Sequence, residues 1–263
     1  MEDHNLSLHP LRFFDVNCGI GPYFNPPSGH DPSAVGLLQK MDELGIAEAA
    51  VYHFKAQQYD FREGNPALFA EINEHQRLKP VLLVGPHHSG EAPTPDEITA
   101  TMKSNDARIL KMHFGVQPFV PGPDPFLMAP LFDKVAPHRP VLILEYADVH
   151  EVQFNWIVDI LNGWPGIKIV LVLPKIEYHE RYFYALWERF DGFFVELAGD
   201  QTMGSLEAIV EKVGSGRVLY GSRYPYFTPL QTMLQIIYAE IDDDAKRGIA
   251  GDNLRNLLKD VIL

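Results

Sequence analysis

Eight short apolar runs recur along the chain at a pitch of about 30 residues, with helix-spaced polar stretches between them. The runs are RFFDVN (12–17), AAVYHF (49–54), PVLLVG (80–85), RILKMHF (108–114), PVLILEY (140–146), IKIVLVL (167–173), GFFVELA (192–198) and RVLYGS (217–222). Val, Ile, Leu and Phe dominate them and polar alternation is slight, as in parallel strands covered on both faces. Between them, DPSAVGLLQKMDELG is expected to form a helix from Asp31-Pro32 to Gly45. NPALFAEINEH and TPDEITATMKSN are read the same way, starting at Asn65-Pro66 and Thr94-Pro95. HEVQFNWIVDILNGWPG, HERYFYALWERF, SLEAIVEKVG and PLQTMLQIIYAEI supply later helices, and DDDAKRGIAGDNLRNLLKDVIL one or two closing ones.

Eight βα units in 263 residues predict one (β/α)8 barrel, a single domain over 1–263. An open doubly wound sheet is the alternative, but NCGIGP is a weak imitation of its Gly-rich first turn and no helix directly follows it. FGVQPFVPGPDPFLMAP (114–130) reads as a long loop over the barrel mouth, suited to a lid.

Strand side chains alternate between faces, and the helix-facing set must be apolar. In ILKMHF that puts Leu110, Met112 and Phe114 outward and Ile109, Lys111 and His113 into the barrel. In VLILEY it sends Glu145 inward, in FFVELA Glu196, and in FFDVNCG Asp15, Asn17 and Gly19, with Phe14, Val16 and Cys18 outward. His87 and His88 follow strand three, Lys175 and Glu177 follow strand six, and Arg223 closes strand eight just before Tyr224. Buried charges cost several kcal/mol unless paired, so two cations and three carboxylates inside one barrel exceed what packing needs. They point to a ligand site, with a structural ion network as the competing reading.

Composition narrows the partners. With 46% apolar and 22% charged residues the chain is an ordinary globular protein. A net charge of −13 argues against nucleic acid or an anionic membrane, while leaving room for a small anionic molecule in a local basic pocket. One cysteine, Cys18, excludes an internal disulfide, and MEDHNLSLHP lacks the basic start and apolar core of a signal peptide, so a cytoplasmic location is expected. No apolar run reaches the roughly 18 residues of a membrane span.

FFDVNCGIG, LKMHFGVQPFVPGPDPFLMAPLFDKVAPHRPVLIL, LYGSRYPY and AKRGIAGDNLRNLL, in that order and spacing, resemble the amidohydrolase superfamily, in its amidohydrolase-related (amidohydrolase 2) branch of metal-dependent decarboxylases and lactone hydrolases. The resemblance covers nearly the whole chain and implies a hydrolase or carbon–carbon lyase. The departures fall on the chemistry. The two histidines of the family's first strand match Asn17 and Gly19, its strand-five histidine matches Glu145, its strand-six histidine falls where Leu173 to Lys175 offer no imidazole, and its strand-eight aspartate matches Arg223. The family's metal site is therefore expected to be absent, with Arg223 standing in electrostatically for the lost ion.

Three functions compete. In the first, a metal-independent hydrolase or lyase clamps a small anionic substrate with Arg223 and Lys111, uses Glu145 or Glu196 as general base and His113 as proton carrier. Asn17, Lys175, His87, His88 and Tyr224 complete the substrate-contacting candidates. In the second, His113, Glu145 and His87 or His88, with Glu196, hold a displaced divalent ion such as zinc. In the third, the barrel binds a metabolite or partner without turnover. RYFYALWERF is aromatic enough to serve a homodimer contact, although core packing is the favoured reading.

Overall fold

The computed structural model describes residues 11–26, 28–114, 122–147, 152–172, 180–200 and 202–263; Lys175, Glu177 and residues 115–121 of the expected lid lie outside the described residues. All eight apolar runs form strands: β1 Phe13–Ile20, β2 Ile46–His53, β3 Leu78–Leu83, β4 Ile109–Phe114, β5 Val141–Tyr146, β6 Lys168–Val172, β7 Phe193–Glu196 and β8 Val218–Leu219. They pair in parallel in chain order. The Val16 amide donates to the Tyr220 carbonyl (3.1 Å) and the Gly19 amide to the Tyr224 carbonyl (2.8 Å), which joins the last strand to the first. This closed order is that of the (β/α)8 barrel, and it removes the doubly wound alternative.

The helices are α1 Ala34–Leu44, α2 Phe54–Gln58, α3 Phe61–Ile72, α4 Pro95–Ser104, α5 Pro125–Val135, α6 Phe154–Gly163, α7 Glu180–Arg189, α8 Ser205–Val213, α9 Pro229–Tyr238, α10 Asp243–Arg247 and α11 Asn253–Lys259. α4 starts at Thr94-Pro95 as expected, with a capping box: the Thr94 side chain accepts from the Glu97 amide and Glu97 accepts from the Thr94 amide. Two starts differ from expectation. α1 is capped by Ser33, because Asp31 spends its carboxylate on the Ser33 amide (2.9 Å). α3 begins five residues before Pro66, capped by Asp60, and Asn65 instead bonds both backbone groups of Leu83 from inside the helix. The expected 114–130 loop ends early, because Asp124 caps a helix that takes Pro125 in its first turn.

The apolar residues divide into two shells. Leu110, Met112, Phe114, Leu142, Leu144, Tyr146, Phe193, Val195 and Leu197 pack between strands and helices, as the alternation predicts. Val81, Leu83, Ile109, Val141, Ile143, Val170, Val172, Phe194 and Leu219 fill the barrel, and Leu254, Leu257 and Leu258 of α11 join that inner cluster. β1 breaks the expected phase. Its pairing with β2 shifts between Asp15 and Cys18, where three steps on β1 match two on β2. This bulge places Phe14 and Val16 in the inner cluster, while Phe13 and Cys18 pack with the outer one. In RYFYALWERF, Phe183, Leu186 and Trp187 are buried, and Tyr182 is exposed but stacked on Phe154 at 4.2 Å. Among the described residues no helix is long and apolar enough to cross a membrane.

Candidate active site at the barrel mouth

Three strands and one turn deliver the charged groups to a single point. β4 and β5 run in register, so His113 lies beside Glu145 and Lys111 beside Ile143, two residue pairs below. Lys111 Nζ contacts Glu145 Oε2 at 2.5 Å and donates to Asn17 Oδ1 at 2.7 Å. The Asn17 amide nitrogen in turn donates to Glu145 Oε2 at 3.3 Å. Arg223 Nε closes the opposite side, 3.0 Å from Glu145 Oε1. Glu145, Lys111, Asn17 and Arg223 are all buried. Each carboxylate oxygen of Glu145 thus faces one cation.

The turn holding Arg223 is fixed from behind. Asp15 Oδ1 accepts from the amides of both Asn17 and Ser222, each at 3.0 Å. One carboxylate oxygen therefore ties the bulge of β1 to the residue before Arg223. Ser222 Oγ accepts from the Tyr224 amide at 3.0 Å, on the other side of Arg223. Between these two anchors Arg223 adopts φ +54°, a left-handed conformation that costs a non-glycine residue about 1–3 kcal/mol and that tends to occur at functional sites. Asp15 does not point into the barrel as alternation predicts. The bulge turns it toward Ser222 and Cys18, where burial pushes its carboxyl up despite those hydrogen bonds.

Burial opposes ionisation of Glu145, but Lys111, Arg223 and the Lys111 hydrogen bond win, and its carboxyl lies well below the usual carboxylate range. Burial lowers Lys111, an effect that contact with Glu145 opposes. His113 is pushed down to about 4, first by burial and then by the charges of Lys111 and Arg223 against the pull of Glu145. Glu196 goes the other way. Burial pushes it up to about 8, and Arg223 and the hydrogen bond from the Ala198 amide (3.0 Å) only partly offset this. At neutral pH the cluster therefore holds ionised Glu145, two cations, a neutral imidazole and a neutral carboxylic acid. Among the described residues, His113 Nδ1, Glu196 Oε2 and Arg223 Nη1 are buried without a hydrogen-bond partner.

Sequence alternation missed the aromatic wall of this site. Lys111 Nζ sits 3.5 Å from the centre of the Tyr52 ring, and Arg223 lies over Phe227 at 5.2 Å. Tyr52 meets Phe54 edge-on at 5.3 Å, and Phe54 contacts both Tyr23 (4.6 Å) and Tyr226 (5.4 Å). The signal was present in AAVYHF, where period two sends Tyr52 and Phe54 the same way. His53 between them is structural. It accepts from the Lys55 amide at 3.0 Å and meets Glu71 at 3.2 Å.

Other predicted site residues lie apart from this cluster. Tyr224 packs in the outer core, its hydroxyl 3.4 Å from His30 Nδ1, and burial pushes that phenol up to about 12. His87 is half-buried and His88 exposed, the two rings 4.4 Å apart, with no described contact to Glu145.

The resemblance to a metal-dependent branch can be tested on these residues. Among the described residues no three His, Cys, Asp or Glu side chains converge to hold a metal ion. Glu145 has no oxygen free of a cation, and Arg223 has no acceptor. A side chain at Gly19 would enter the Phe54 ring, whose nearest carbon is 2.4 Å from the place of its Cβ. The set does not fit a divalent ion held in the manner of that branch.

No family model matches the chain, and no curated protein matches it. Solved structures do match. The 5-carboxyvanillate decarboxylase of Sphingomonas paucimobilis is 15% identical with a TM-score of 0.69, over 95% of this chain and 99% of that one. The dihydroxybenzoic acid decarboxylase of Polaromonas sp. JS666, seen with manganese and the inhibitor 2-nitroresorcinol, is 12% identical with a TM-score of 0.74, over 95% and 97%. A protein named amidohydrolase II is 11% identical with a TM-score of 0.71, over 94% and 100%. At these identities the likeness is one of fold: the chain folds as these barrels do, over 94–95% of its length.

Proposed function

We propose that the barrel mouth binds a small carboxylate or similar oxyanion against Arg223 and acts on it as a hydrolase or carbon–carbon lyase without a divalent metal. The observation that carries this reading is a charge imbalance. Lys111 and Arg223 bring two positive charges to a buried point, ionised Glu145 returns one negative charge, and Glu196 is neutral at pH 7. Arg223 also keeps Nη1 buried and without a partner. An oxyanion beside Arg223 neutralises the excess and satisfies that nitrogen with a charge-assisted hydrogen bond.

The side chains then take distinct roles. Glu145, held by two cations, fixes Lys111 and Arg223 in place and is a poor base. Glu196 is the acid that delivers a proton, and neutral His113 accepts or relays one. The Phe227 ring beside Arg223 and the Tyr52 ring beside Lys111 suit a planar substrate body. Fold neighbours named as decarboxylases of 5-carboxyvanillate and of dihydroxybenzoic acid favour the lyase form. In that form the bond from carboxyl to ring carbon breaks, its electron pair stays on the ring carbon, CO2 leaves, and Glu196 gives that carbon a proton which solvent later replaces.

The test is calorimetric titration with benzoate and 2,6-dihydroxybenzoate at pH 6.5, together with CO2 release. Binding tighter than about 1 mM is expected for the native chain, a free energy of about −4 kcal/mol. Arg223→Gly keeps the left-handed turn without strain and is expected to weaken binding at least tenfold. Glu196→Gln is expected to slow turnover about 100-fold or more. Binding that survives Arg223→Gly overturns the placement of the site. Binding without any turnover moves the protein to the non-catalytic reading.

A further inference from the structure

Glu196 and Arg223 present two buried, unpartnered atoms, Glu196 Oε2 and Arg223 Nη1, and the Glu196 carboxylate lies against Gly221, two residues before Arg223. Glu196 cannot retreat from the position it holds. Its Oε1 is tied to the Ala198 amide, and the backbone of Gly221 lies so close that a Cβ there would come within 2.2 Å of Oε1. Only the outer oxygen remains uncommitted. Arg223 is anchored on its own side by Glu145 through Nε, which leaves Nη1 for a second anion.

Resting on the anion-binding reading above, we infer that Glu196 is an internal competitor for Arg223, so that the site takes up its anion together with one proton. Protonated, Glu196 leaves Nη1 to the ligand and offers it an O–H donor. Ionised, it supplies the missing negative charge itself and repels an incoming carboxylate. Opening the site to solvent at alkaline pH would not be needed to lose the ligand; a change of one charge suffices.

The groups around Glu196 make this the charge that changes in the accessible range. Arg223 at the end of β8 attracts the ionised form, while Asp15 on β1 and Glu145 on β5 oppose it. Burial holds the carboxyl near 8 against that attraction. Glu145 is ionised throughout, and Tyr220 and Tyr52 are pushed well above the usual phenol range. His113 on β4 titrates near 4, below the window. Among the described groups, Lys111 on β4, lowered by burial, is another that can lose charge on the alkaline side. The experiment must separate the two.

Benzoate affinity is measured by calorimetry between pH 6.5 and 9.5. With a carboxyl near 8, native affinity is expected to fall about 30-fold across that range. Glu196→Gln cannot ionise and is expected to give a flat profile. A native profile that is itself flat overturns the inference, as does an equal fall in Glu196→Gln, which would assign the loss to Lys111. Should that variant not fold, infrared difference spectra of the native protein decide. The carbonyl band of a protonated carboxylic acid should disappear between pH 6.5 and 9.5 and return when benzoate is added at pH 9; a band unchanged by benzoate overturns the proton link. If the native chain binds no benzoate at pH 6.5, the anion site itself is refuted. If it binds without pH dependence, only the competition by Glu196 falls.

Discussion

Replacing Glu145 by Gln removes one negative charge and leaves the volume almost unchanged. The structure gives the size of the effect. Lys111 Nζ lies 2.5 Å and Arg223 Nε 3.0 Å from its oxygens, and every partner is buried. At an effective dielectric of 20 each contact is worth about 6 kcal/mol of Coulomb attraction, most of it offset by desolvation of the charges. Removing the carboxylate withdraws the attraction and leaves the desolvation of two cations in place, a net loss of about 3–5 kcal/mol. For a chain of this size that corresponds to a fall in Tm of roughly 6–20 °C. Urea unfolding at pH 7 measures it directly, as a lowered midpoint with unchanged slope.

Two controls sharpen the result. Lys111→Met combined with Glu145→Gln should lose at least about 1 kcal/mol less than the sum of the single changes, because the residues are in contact. The pH dependence has a defined sign. Glu145 has its carboxyl depressed in the folded state, so its contribution is complete above the ordinary carboxylate range and is lost as pH falls below about 4.5 toward the folded value. The native protein should therefore lose its advantage over Glu145→Gln in acid and keep it from pH 5 to 8. A midpoint shift equivalent to less than about 1 kcal/mol at pH 7 would refute the claim that this carboxylate holds the two cations in place.

Further outcomes follow from the same geometry. Glu196 titrates near 8 folded and near 4.5 unfolded, so the native chain should lose stability progressively as pH rises from about 5 to 8. Glu196→Gln should flatten that slope in urea unfolding, and a parallel slope would show that the carboxyl is not raised. Gly221→Ala would place its Cβ 2.2 Å from Glu196 Oε1, so it should destabilise the fold by about 1–3 kcal/mol, in the manner of an overpacked core, and weaken benzoate binding. Wild-type affinity in that variant would show that Glu196 has room to move.

Most of the site was legible because period two is reliable on straight strands. β4, β5 and β7 carry no irregularity at Lys111, His113, Glu145 or Glu196, and alternation alone turned all four inward. On β1 the same rule held at Asn17 and Cys18 and failed at Phe14, Asp15 and Val16. The bulge between Asp15 and Cys18 reverses the phase, and nothing in FFDVNCG marks a bulge there. Hydrogen bonds to Asn17 and Ser222, the latter 207 positions away in the chain, draw Asp15 to the other side. Tyr224, a substrate-contacting candidate, lies next to Arg223 in the chain. The left-handed turn at Arg223 and the Ser222 hydroxyl carry its ring outward instead.

Local chemistry in the sequence was enough to determine the eight strands, most helices and the identity of the charges inside the barrel. Apolar runs of strand length, proline and side-chain caps act within a few residues, and a buried charge stands out wherever it falls. Tertiary structure decided what those charges do. That Glu145 is locked between Lys111 and Arg223, that Glu196 stays protonated while His113 stays neutral, and that Phe54 fills the space beside Gly19 all depend on groups that different strands and turns bring together. Burial and through-space charge set a protonation state, and both exist only once the barrel has closed.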